Sequence, residues 1–141
     1  MDIETLYRDL ILQHARGPKN IGSIDDPDLS GSASNRLCGD ELELTLTLDG
    51  DQISLAKARV RGCAVLQAST SMMTEFLVGK NYHQAAKLGE AFRALLSGEG
   101  EAPESLKDLA PLLQMRKQRA RHTCVLLPWD ALDDCEEEEK S

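Results

Sequence analysis

Between Glu41 and Leu48 leucine takes every second position, separated by Glu and Thr, in the stretch ELELTLTL. Side chains that alternate in this way sit on the two faces of a β-strand, one face apolar and destined for a core, the other polar. Asp49-Gly50 is a turn dipeptide, and ISLAKARVRG brings the chain back, so an antiparallel hairpin is expected here. Ile53 and Leu55 begin in phase, but the apolar set then shifts to Ala56, Ala58 and Val60, which predicts a bulge or break near Leu55.

Helical spacing surrounds this hairpin. Ile3, Leu6, Tyr7, Leu10, Ile11 and His14 repeat at three and four residues, which predicts a helix capped by Asp2 and stopped by Gly17-Pro18. The following KNIGSIDDPDLSGSASNR has no period and is expected to be an irregular, mobile connection. After the hairpin, CAVLQASTSMMTEFLVGK places Val65, Ala68, Met72, Met73, Phe76 and Leu77 on one helical face, ended by Gly79; the two methionines read as core packing. Further helices are expected over Asn81 to Ser97 and Pro103 to Met115, the second kinked or divided by Pro111. A last helix is expected around CVLLPWDALDD, kinked at Pro128 or beginning after Cys124, because the proline ring would clash with the Cys124 carbonyl. The order is β first, then mostly α.

Composition removes whole classes of function. At a formal net charge of -8 with 4% aromatics, the chain has neither the basic field nor the stacking rings that nucleic acid requires. No segment approaches the about 20 apolar residues of a membrane span, and MDIETLYRDLILQH has no basic leader, so a soluble cytoplasmic protein is expected. The basic run Arg116, Lys117, Arg119 and Arg121 is either a solvated face or a docking surface for an acidic partner. Residues 1–134 are expected to form one domain, and 135–141 an acidic disordered tail.

In a reducing compartment the four cysteines are better explained as ligands or reactive groups than as disulfides. Cys38 ends a loop before a strand, Cys63 follows Gly62 at a helix start, and Cys124 precedes or starts the last helix; element ends at one edge of a small sheet can converge. A helix N-terminus favours a thiolate at Cys63. Three thiolates with the carboxylate of Asp40 make a four-coordinate set of the kind zinc accepts, at Zn–S of about 2.3 Å. Alternation in a strand would also put residues 38 and 40 on the same face. Cys135 lies in the tail, outside this pattern. A Cys–His hydrolase pair built from Cys124 with His122, or from a cysteine with His14 or His83, is the alternative from a different class, but no oxyanion motif accompanies it.

The segments LYRDLILQHARGPKNIG, LCGD, GCAVLQASTSMMTE and RHTCVLLPWDAL resemble the U-type iron-sulfur cluster assembly scaffold family, which includes SufU, IscU and NifU N-terminal domains, over nearly the whole chain. Within it the chain is most similar to the SufU-like, zinc-binding branch. The interval between Cys63 and Cys124 can hold that branch's helical insertion, Thr123 stands where IscU-like members carry histidine, and Arg121 matches the SufU-like arginine. The pattern departs at Arg36, at His14-Ala15 and at Pro128.

The resemblance implies an α+β single U-type domain: a small antiparallel sheet of about three strands, packed on one face by helices, with an N-terminal helix and a helical C-terminal half. It implies zinc on Cys38, Asp40, Cys63 and Cys124, and sulfur accepted as a persulfide from a cysteine desulfurase, a PLP enzyme, with downstream iron-sulfur assembly proteins as further partners. Cys38 is assigned as acceptor, because a loop ligand beside a glycine moves at less structural cost, and Arg121 as the charge that steadies the sulfur. The same ligands suit iron or a transient 2Fe-2S cluster, which is the scaffold alternative. A purely structural zinc interaction module is the third reading.

Overall fold

The computed structural model describes residues 2–137. Its centre is the expected hairpin, β2 (Asp40–Asp49) and β3 (Gln52–Arg61), paired antiparallel and turning at Gly50, whose φ is +63°. The register shifts between Thr47, opposite Leu55, and Leu48, opposite Ile53, so the bulge falls beside Leu55 and turns that side chain outward. Leu42, Leu44, Leu46, Ile53, Ala56 and Ala58 consequently share the buried face. Each buried leucine contributes roughly 1.5–3 kcal/mol relative to exposure.

The third strand, β1 (Leu29–Asn35), runs through the segment expected to be irregular, which is a correction. Its alternation is real but made of small residues: Leu29, Gly31 and Ala33 pair with Leu46, Leu44 and Leu42, while serines occupy the positions between them. Small residues carry little hydrophobic signal, yet here they let a helix approach closely. A Cβ on Gly31 would collide with the carbonyl of Ala131 and lie 2.7 Å from the Cys135 nitrogen. The tail expected to be disordered from Cys135 onward instead pairs at β4 (Glu136–Glu137) with Leu29 and Ser30, giving the sheet order β3-β2-β1-β4. Residues 138–141 of that tail lie outside the described residues.

Helix α1 (Ile3–Arg16) is capped by the Asp2 carboxylate, which accepts the Thr5 N–H at 2.8 Å, and ends at Gly17 as expected. Only part of its apolar face is used: Ile11 is buried, whereas Ile3 and Leu6 remain exposed. Helix α2 (Ala64–Leu77) buries Met72 and Met73 and is bound to α1 by a polar clasp. Ser71 Oγ lies 2.6 Å from His14 Nδ1 and accepts the Lys19 N–H at 2.7 Å. Helix α3 (Tyr82–Ser97) starts at the Asn81 cap, and Gly89 lets Trp129 close against it. A 3-10 segment (Glu104–Lys117) carries Pro111 in its buried face. Tighter 3-10 winding does not use the i−4 carbonyl that a proline offends in an α-helix.

Helix α4 (Arg119–Asp133) corrects the expected start of the last helix. It begins well before Cys124, and Pro128 lies inside it. The proline leaves the Cys124 carbonyl without an N–H from residue 128, and the buried Ser69 hydroxyl donates to the next carbonyl, that of Val125, at 2.6 Å. With α2 and α4 against the leucine face and Trp129, Phe76 and Phe92 packed at their junction, the fold is α+β with a helical C-terminal half. No helix among the described residues is long and apolar enough to cross a membrane.

Candidate metal centre

The β1–β2 hairpin, the β3–α2 junction and the second turn of α4 meet at one end of the sheet. Asp40 is the first residue of β2, paired with Asn35, and its side chain turns inward to 3% exposure. Cys63 is the N-cap of α2. It follows Gly62, where a Cβ would collide with the Asp40 carboxylate and press on Leu66, so glycine is what allows the carboxylate to sit there. Cys124, 2% exposed, completes the group from α4.

The donor atoms of Asp40, Cys63 and Cys124 all lie within 4.8 Å of one another. Asp40 organises the cluster: one oxygen accepts the Cys63 N–H at 3.4 Å, the other the Cys124 thiol at 3.3 Å. Burial pushes the Cys124 thiol up to about 12, reinforced by its hydrogen bonds with Cys63 and Asp40 and by the charges of those groups. Two sulfurs and a carboxylate are a donor set for zinc or iron, and a bound cation would reverse that preference for the protonated thiol. The residues present therefore fit such an ion.

Cys38 stands apart from the three. It lies in the four-residue turn Arg36–Gly39 between β1 and β2, exposed, with Gly39 at φ +70°. That left-handed residue takes position 38 out of the strand alternation that would have put it on the face of Asp40. Its sulfur receives a hydrogen bond from Asn35 Nδ2 at 3.7 Å. Asn35 is a residue that sequence reasoning passed over; its place three positions before Cys38, at a strand end, was the available signal. Arg121 is exposed in the first turn of α4, one turn before Cys124.

The expected basic run divides in two. Arg116 is tied inward, donating to the carbonyls of Leu95 and Gly100, while Lys117, Arg119 and Arg121 are exposed. The histidines are engaged away from the thiols: His14 with Ser71, His122 donating from Nε2 to the Arg116 carbonyl at 2.9 Å, and His83 edge-on to Tyr82. Cys135 is part-buried beside β1, its thiol donating to the Ala131 carbonyl at 3.4 Å, and burial with the charges of Asp134 and Asp133 pushes it up to about 12.

The family model for the NifU-like N terminal domain matches residues 6–113. The chain belongs to the NifU-like N-terminal domain family. Relatives of this NifU-like chain include the zinc-dependent sulfurtransferase SufU of Bacillus subtilis, 35% identical over 94% of this chain and 90% of that protein. The iron-sulfur cluster assembly scaffold protein IscU of Thermotoga maritima is 29% identical over 95% of this chain and 94% of its own. Among solved structures, an N-terminal NifU-like protein of Brucella abortus superposes with TM-score 0.83 at 29% identity, covering 94% of this chain and 93% of that one. A candidate SUF-system scaffold protein of Fervidobacterium islandicum does so with TM-score 0.84 at 28% identity, covering 94% and 97%. The NifU-like domain thus carries its three clustered donors on a scaffold shared with proteins named for both zinc-dependent sulfur transfer and cluster assembly.

Proposed function

We propose that this chain is an iron-sulfur cluster assembly protein of the SUF type that holds zinc through Cys38, Asp40, Cys63 and Cys124 and accepts persulfide sulfur from a cysteine desulfurase. The observation that carries the reading is the pairing of a donor cluster, buried Asp40 and Cys124 with part-buried Cys63, with an exposed thiol, Cys38, in the turn that leads directly into Asp40. The similarity to a zinc-dependent sulfurtransferase over nearly the full chain supports it.

Zinc, when bound, keeps its sulfur ligands as thiolates at neutral pH and guards them from oxidation. The chain's own residues do the rest. Asp40 holds Cys63 and Cys124 in one geometry, so the buried part of the site stays fixed while Cys38 meets the partner. Cys38, as thiolate, attacks the outer sulfur of the desulfurase persulfide, and the desulfurase cysteine departs as the leaving thiolate. Arg121 offers a positive charge on the first turn of α4 that can pair with the sulfur anion. Lys117 and Arg119 extend that positive surface toward an acidic partner face, which speeds association at low salt.

The test is metal content of freshly purified protein, paired with desulfurase turnover with and without the chain. Stoichiometric zinc, stimulated turnover and loss of both sulfur acceptance and stimulation in Cys38→Ala are expected. Normal sulfur acceptance by Cys38→Ala would refute the assignment. The IscU relative favours a second reading, in which the same donors carry a transient 2Fe-2S cluster as cargo. Anaerobic reconstitution with iron and sulfide, followed by absorption spectra, separates the two. A structural zinc module, by contrast, predicts slow alkylation of Cys38, Cys63 and Cys124 alike and no effect on the desulfurase.

A further inference from the structure

The Cys38 turn has almost nothing of the core to hold it. Leu37 is 98% exposed and Cys38 is exposed as well, so neither side chain anchors the turn by burial. What holds it is Asn35, on which three hydrogen bonds converge. Its backbone carbonyl accepts the Cys38 N–H at 3.2 Å, its Oδ1 accepts the Leu37 N–H at 3.2 Å, and its Nδ2 donates to the Cys38 sulfur at 3.7 Å. The first two close a local turn of the kind Asn side chains build. The third goes to the reactive atom itself. Asn35 is also the last residue of β1 and is paired with Asp40, so its position is set by the sheet and by the same strand end that carries the buried donors.

We propose that Asn35 is a positioning residue for sulfur acceptance, its amide N–H donating to the Cys38 sulfur and aiming that sulfur outward from the turn. The proposal rests on the reading of Cys38 as acceptor and adds a residue through which that acceptor works. In the step itself, the Cys38 thiolate forms a bond to the outer sulfur of the desulfurase hydropersulfide as the bond between that sulfur and the desulfurase cysteine breaks. The proton on the outer sulfur travels with it, and the negative charge passes to the departing desulfurase thiolate, so no outside oxidant or reductant is needed. A donor beside the attacking sulfur holds it in one direction and stabilises its charge until attack.

Two substitutions separate this role from turn formation. Asn35→Asp keeps the oxygen that accepts the Leu37 N–H but has no N–H to give; Asn35→Ala has neither and adds no charge. The first measurement is the iodoacetamide alkylation rate of Cys38, resolved by mass spectrometry, in the as-purified protein and again after chelation has taken zinc off that sulfur. The chelated rate is the one that reads the Asn35 contact, with metal content and circular dichroism recorded beside it. The second is persulfide transfer from a cysteine desulfurase, analysed as kcat and KM. Both variants are expected to slow Cys38 alkylation at least fivefold, and to lower kcat for transfer with little change in KM, while keeping fold and metal. Loss in Asn35→Ala alone would show that Asn35 only shapes the turn, loss in Asn35→Asp alone that the added charge is responsible, and wild-type alkylation in both that the amide does nothing for the sulfur; each overturns the proposal. If both variants slow alkylation but even the wild-type chain takes up no persulfide, the hold of Asn35 on the Cys38 sulfur stands, while the sulfur-transfer function, and with it the role of Asn35 in acceptance, falls.

Discussion

Cys124 Sγ and Asp40 Oδ2 lie 3.3 Å apart although 84 positions separate them in the chain. The contact joins the second turn of α4 to the first residue of β2, and Asp40 also receives the Cys63 N–H. Asp40→Ala would remove a metal donor and at once leave the buried Cys124 thiol without its partner, at a cost of about 1–3 kcal/mol, and the part-buried Cys63 N–H without its own. Zinc affinity in a competition assay with a chromogenic chelator is expected to fall by at least about 10–100-fold, a range already seen when groups that merely support a ligand are lost.

Gly62 is a second point of control. Its missing Cβ is what leaves room for the Asp40 carboxylate and Leu66. Gly62→Ala is expected to push the carboxylate out of the cluster, so metal stoichiometry after dialysis should drop while circular dichroism reports a folded chain. Retention of wild-type zinc by this variant would contradict the geometry.

The thiols carry a pH signature. Cys124 and Cys135 are each raised from an ordinary value of 9.0 to about 12 in the fold, both chiefly by burial. For an acid raised on folding, the folded state holds the proton more tightly, so the stabilisation is complete below about pH 9 and is lost as pH rises toward about 12. The chelator-treated protein should therefore lose thermal stability across that window, and Cys135→Ala should lose less of it. Metal binding runs the other way and should strengthen as pH rises, since ligands must shed protons. At pH 8 a thiol reagent should modify Cys38 in the chelator-treated protein well before Cys124 or Cys135.

Gly31→Ala tests the strand that sequence patterning hides. The new Cβ would meet backbone at Ala131 and Cys135, atoms that cannot swing aside like the tip of a side chain. A loss of about 1–3 kcal/mol is expected from such overpacking, read as a lowered midpoint in urea. An unchanged midpoint would mean that α4 can move off the sheet freely.

Much of the architecture was legible in local pattern because its signals are large. The alternating leucines, the Asp49-Gly50 turn and the shift of phase at Leu55 each appear in the structure where expected. So do the cap at Asp2 and the stop at Gly17. β1 escaped because its inward residues are small, and β4 because two glutamates become strand only when Leu29 and Ser30 lie beside them. The start of α4 escaped because proline rules speak only of the local chain, whereas Arg119–Asp133 stays helical through Pro128 where it packs against α2 and the sheet.

At the site the division is similar. Residue types and their expected places at element ends marked Cys38, Asp40, Cys63 and Cys124 as metal-ligating candidates, since thiols and carboxylates in such places are chemistry that can be read letter by letter. Which of them lie together was decided by tertiary structure: the sheet and α4 bring Asp40, Cys63 and Cys124 to one point, while the left-handed Gly39 and the bonds of Asn35 hold Cys38 in the exposed turn beside them. The physical reason is that a periodic pattern encodes which face a residue takes within its own element. The distance between two side chains far apart in sequence depends instead on how those elements pack, and no single stretch of chain carries that information.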